Sequence, residues 1–164
     1  MPSALNNSKS FFSFNLNEKL ELNLKTYINS KKRQEISGGL IGHIRGGQEN
    51  RIVFDIQHFL PFPNLARDPY NFVIPPNIWL DILEEWRTFY FNEYRFVGFL
   101  HTHPKSTSKI SKQDRIFAKQ LNQKYGSIVF IIIGKNKYLR CYLFRNSSPK
   151  LLQGNLKYFQ CIEK

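Results

Sequence analysis

Apolar residues recur along the chain with alternating periods of about two and about 3.6 residues, and each change of period marks an element. Phe11 to Leu16 reads as a short strand. Asn17 is placed to cap a helix in which Leu20, Leu24, Tyr27 and Ile28 return at helical spacing, ending near Lys31. Ile36 to Arg45 predicts a strand interrupted by Gly38 and Gly39, RGGQENR a turn, and Ile52 to Leu60 its returning strand. Pro61, Pro63, Pro69, Pro75 and Pro76 predict an extended loop.

The second half repeats the alternation. Pro76 to Phe91 predicts a helix with Ile78, Ile82, Leu83 and Trp86 toward the core and Asp81, Glu84, Glu85 and Arg87 outward. Arg95 to His101 is an apolar strand stopped by Pro104, and Lys112 to Tyr125 a second amphipathic helix carrying Ile116, Phe117, Ala118 and Leu121. Ile128 to Ile133 and Tyr138 to Phe144 predict a hairpin around GKNK, and Lys157 to Ile162 a last strand. This order predicts a mixed sheet flanked by helices, of α/β or α+β class, in a single domain over residues 1–164.

Composition narrows the picture. With 164 residues, 41% of them hydrophobic and 15% aromatic, the chain can build a real core, which argues against disorder. MPSALNNSKS carries no signal-peptide pattern, and no segment approaches the ~20 apolar residues of a membrane span. Two cysteines without a CxxC partner, Cys141 and Cys161, suit free, buried thiols in a cytoplasmic protein. The net charge of +12 admits nucleic acid, anionic lipid or an acidic protein as partner. The basic residues are scattered, however, with Lys31, Lys32 and Arg33 the only dense run, which argues against a nucleic-acid stripe.

Two of the four histidines lie one residue apart in VGFLHTHPKSTSKISKQD. On a strand, positions i and i+2 share a face about 6.6 Å apart, so His101 and His103 can aim at one ion, with Thr102 turned away. Asp114 is the nearest candidate for a third ligand, in the first turn of the following helix, where the helix dipole favours a carboxylate. Structural readings stay open here: strand histidines are often core or edge residues, and Ser111-x-x-Asp114 approximates a capping box. His43 and His58 fall outside the cluster and read as structural.

His101-Thr-His103-Pro104, followed after six residues by Ser111-x-x-Asp114, resembles the signature of the JAB1/MPN/Mov34 (JAMM) metallopeptidase family. Upstream, EISGGLIG from Glu35 to Gly42 matches the family's glutamate and Gly-Gly segment, and LPFPNLARDPYNFVIPP its loop before the central helix. The likeness runs over residues 17–144. Thr102 stands where the family more usually has serine, and the insertions with which eukaryotic members grip ubiquitin are missing, as in compact prokaryotic-type members.

The resemblance implies an MPN/JAB, cytidine-deaminase-like fold and one Zn²⁺ per chain held by His101, His103 and Asp114. It implies Glu35 as general base and Ser111 as oxyanion donor, with Gly38 and Gly39 leaving room for a substrate backbone that adds to a sheet edge. The alternative for the glycine pair is a β-bulge with no ligand. The implied substrate is a ubiquitin-like or sulfur-carrier protein cleaved after its C-terminal glycine, in deconjugation or precursor processing. Bacterial relatives of this size stand beside E1- and E2-like enzymes in anti-phage operons. Competing classes are a non-catalytic MPN scaffold, which the complete residue set disfavours, and a nucleic-acid-associated RadC-like protein, which only the charge favours.

Overall fold

The computed structural model describes residues 11–31, 34–46, 51–64, 77–135, 139–145 and 148–152. Ten elements follow one another along it: β1 (Phe11–Leu16), α1 (Glu18–Ser30), β2 (Ser37–Arg45), β3 (Arg51–Phe62), α2 (Asn77–Tyr90), β4 (Arg95–His103), α3 (Lys112–Tyr125), β5 (Ile128–Gly134), β6 (Leu139–Arg145) and β7 (Ser148–Leu152). The strands form one mixed sheet in the order β1-β3-β2-β4-β5-β6-β7. β1 with β3 and β4 with β5 are parallel, and the other pairs antiparallel.

Helices cover both faces, which explains why the central strands read as continuous apolar runs rather than alternating ones. On one face Leu20 and Leu24 of α1 pack with Leu40, Phe54, Ile56, Leu100 and Ile131. On the other, Leu80 of α2 and Phe117, Ala118 and Leu121 of α3 pack with Phe96, Phe99, Phe130 and Ile132. The Asn17 side chain accepts from the Leu20 amide and caps α1, as its position in the sequence predicts.

Several expectations are corrected. Ile82 and Trp86 are 38% and 54% exposed, and α2 instead buries Leu80, with Leu83 partly buried. The helix carries apolar residues on two stripes, and periodicity alone does not say which one meets the sheet. The side chain of Ile78 lies outside the described residues. Ile116 is 50% exposed because the inward stripe of α3 is Asp114, Phe117, Ala118, Leu121 and Asn122, about one residue's rotation away. β3 runs through Pro61 to Phe62 rather than ending before the proline. Pro61 pairs with Gly38 of β2, but β1 pairs with β3 only as far as Ile56, so among the described residues the other flank of β3 is open at Pro61, a position where a strand tolerates proline. β7 is an addition, among the described residues an edge strand that tolerates Pro149. The strand expected over residues 157–162, and Cys161, lie outside the described residues.

Candidate metal centre

The last three residues of β4 sort onto two faces. Thr102 turns away from α3: its Oγ1 accepts from the Ile36 amide at 3.0 Å, and its own amide donates to the Ile36 carbonyl at 2.9 Å. This two-way link fastens the segment leading into β2, and with it Glu35, beside the histidines. His101 and His103 turn toward α3, their ring centroids 4.7 Å apart and nearly perpendicular.

The start of α3 brings the acid. Ser111 is the N-cap: its Oγ accepts from the Asp114 amide at 3.1 Å, and the Asp114 carboxylate accepts from the Ser111 amide at 2.9 Å. This reciprocal capping box fixes Asp114 over the histidines. Asp114 Oδ1 is 3.5 Å from His101 Nε2, and Oδ2 is 3.3 Å from His103 Nε2. Glu35 Oε1 approaches the same cluster, 4.0 Å from His101 Nε2. One oxygen of Glu35 and one nitrogen from each histidine lie within 4.8 Å of one another, and such a group could hold a metal ion.

Electrostatics suits ligation. Burial pushes the His101 imidazole down to about 4, reinforced by the neighbouring His103 and only partly opposed by Asp114, so its ring is neutral at pH 7 and keeps a lone pair. Burial also acts to lower His103, but the Asp114 hydrogen bond and the Thr107 carbonyl, 2.9 Å from Nδ1, outweigh it and raise the group. That carbonyl accepts from Nδ1 and turns Nε2 toward the carboxylates. Burial works to raise the Asp114 carboxyl, yet His103, His101 and the Ser111 capping bonds hold it down at about 2. A neutral imidazole, a second imidazole and an ionised carboxylate form a donor set that fits a borderline-soft divalent ion.

The structure brings together Glu35, His101, His103, Ser111 and Asp114. It does not give Gly38 and Gly39 the role expected of them. β2 is an interior strand, paired with β3 on one side and β4 on the other, so an added strand cannot reach its edge. Their missing side chains are explained by internal packing: a Cβ on Gly38 would fall 2.4 Å from the Leu60 carbonyl oxygen and 2.5 Å from the Phe59 ring, and one on Gly39 2.7 Å from the Phe96 ring. Register shifts next to them, at Leu40 to Gly42, mark a bulge. His43 lies against Tyr94 and His58 against Phe91, centroids 4.7 and 4.2 Å apart, outside the cluster formed by Glu35, His101 and His103.

Two contributors escaped the sequence reading. Thr107 acts through its main chain, which no side-chain pattern discloses. Tyr142 braces the loop between His103 and Ser111, its hydroxyl accepting from the Ile110 amide at 3.2 Å, and the signal was a lone phenol among the buried positions of β6. The same loop presses on β5 so closely that a Cβ on Gly134 would lie 2.6 Å from the Ser108 nitrogen.

No family model and no curated protein matches the chain. Among solved structures it is similar to the solution structure of protein DSY2949 from Desulfitobacterium hafniense, with a TM-score of 0.59 and 19% identity over 86% of this chain and 90% of that one. The likeness is one of fold, a mixed α/β domain with helices on its sheet. Among the described residues no helix is long and apolar enough to cross a membrane.

Proposed function

We propose that the chain is a JAMM-type zinc metallopeptidase of MPN fold, an isopeptidase or peptidase that cleaves after the C-terminal glycine of a ubiquitin-like protein. The observation that carries this reading is the convergence of His101, His103, Asp114 and Glu35 from three separate segments, with their nitrogens and carboxylates turned to one point. A sheet protein has no packing reason to gather two imidazoles and two carboxylates at one buried strand end.

His101 and His103 would hold zinc through Nε2, with Asp114 as the third ligand. Bound zinc would supply Lewis-acid polarisation and a water whose pKa is lowered to about 7. Glu35 takes the proton of the attacking water on a carboxylate oxygen and returns it to the leaving amine. The Ser111 oxygen accepts the Asp114 amide through a lone pair, which leaves its O–H to donate to the oxyanion that develops on the scissile carbonyl.

The substrate is a ubiquitin-like or sulfur-carrier protein with a glycine tail, encoded with E1- and E2-like enzymes, in the cytoplasm. An acidic face on that partner would be steered by the +12 charge of the chain. The non-catalytic scaffold is disfavoured because the full donor set is present. The test is metal analysis with a cleavage assay on a ubiquitin-like protein fused through its terminal glycine to a reporter. About one zinc per chain and chelator-sensitive cleavage are expected. A purified chain that takes up no zinc and cuts no glycine-tailed fusion sinks the reading.

A further inference from the structure

We propose that Ser37 is a positioning residue of the metal centre, its hydroxyl serving as a hydrogen-bond acceptor that orients the His101 ring when Nε2 carries an ion. This rests on the zinc reading above.

The placement follows from register. Phe62, Ser37, His101 and Ile132 stand opposite one another across β3, β2, β4 and β5, so their side chains form one row on one face. Phe62 and Ile132 belong to the apolar layer under α2 and α3, and a Cβ on Gly39 would meet the Phe96 ring of that same layer. Ser37 therefore sits on the metal-binding face, between a phenyl ring and the His101 imidazole. Cross-strand neighbours hold their Cβ atoms about 4.5–5.5 Å apart, which puts a serine hydroxyl within reach of the adjacent ring.

The hydroxyl is costly where it stands. Ser37 is 0% exposed, and its Oγ meets no hydrogen-bonding group among the described residues. A buried hydroxyl left unsatisfied costs about 1–3 kcal/mol, and alanine would fill the same row without that cost. Proteins keep few such groups, and those they keep have a reason at a site. Here the neighbour supplies it. Ligation through Nε2 puts the ring proton on Nδ1, where an acceptor fixes ring orientation and raises ligand basicity. His103 already has this arrangement with the Thr107 carbonyl. For His101 the Ser37 oxygen supplies an acceptor on the row itself.

Zinc affinity by chelator competition, with the thermal midpoint of the metal-free chain, tests this on the full-length protein. Ser37→Ala should weaken zinc binding about 10-fold, the lower end of losses seen when an outer partner is removed. Its metal-free midpoint should stay level or rise, since an unsatisfied hydroxyl has gone. Unchanged affinity overturns the proposal, as does a fall in both affinity and metal-free midpoint, which would mark an ordinary packing defect. A parent chain that binds no zinc fails the metal reading itself, and the parental control separates that failure from the serine's.

Discussion

Thr102 and Ile36 are bonded twice, backbone amide to carbonyl and backbone amide to side-chain hydroxyl, and this pair is what sets Glu35 beside His101. Thr102→Val keeps the shape but leaves the buried Ile36 N–H without an acceptor, at a cost of about 1–3 kcal/mol. Activity should fall while zinc content stays near one per chain, because both histidines remain on β4. Thr102→Ser should behave as the parent. A valine variant as stable and active as the parent would remove the positioning role.

Glu35 and Asp114 both reach the histidine nitrogens, so ligand and base must be told apart by experiment. Glu35→Gln should keep zinc and lose nearly all hydrolysis, since an amide cannot take the water's proton. Asp114→Asn and His103→Ala should lose the metal first, with activity following. The reverse pattern, with zinc lost in the glutamine variant and kept in the asparagine one, would exchange the two roles.

Ser111 caps α3, and on the proposed function its O–H also serves as the oxyanion donor. Ser111→Ala removes the helix cap, for about 1 kcal/mol of stability, and the oxyanion donor, for about 10²–10³ in kcat. Thermal melts and turnover read the two separately. A lowered midpoint with parental turnover would reduce Ser111 to a cap.

Much of this was legible in the sequence, for a physical reason in each case. β1, α1 and α3 are bounded by local signals, Asn17 and Ser111 above all, whose capping geometry involves only the next three residues. The histidine pair was legible because a period of two is rigid on a strand. What escaped depended on partners distant in sequence. The inward stripe of α2 is chosen by the sheet, and the glycines of β2 by Phe59 and Phe96, which no local pattern brings beside them. Gly38→Ala would accordingly disturb stability, not substrate choice, because its Cβ would strike the Leu60 backbone. A loss of about 1–3 kcal/mol in urea melts is expected, and a fully stable alanine variant would return the pair to a substrate role.

The metal-free protein should lose stability in mild acid, and His101 sets the window. Its imidazole falls from 6.5 to about 4, chiefly through burial. Between those values the unfolded chain binds the proton and the folded chain does not, so stability declines as the pH drops through that range. A shift of this size corresponds to roughly 3 kcal/mol. Asp114, held near 2, contributes stability that is complete above the ordinary carboxyl range of about 4 and lost only in stronger acid, so it adds little to the same window. His103 runs the other way: its raised value gives stability that is complete below about 6.5 and lost as the pH climbs through the folded value. Zinc must displace that proton, so its affinity should increase with pH across the same interval. Urea midpoints of chelator-treated protein from pH 4 to 8 should rise to near neutrality and then level or decline. A midpoint that does not change between pH 4 and 6.5 would mean that His101 is not held neutral by burial.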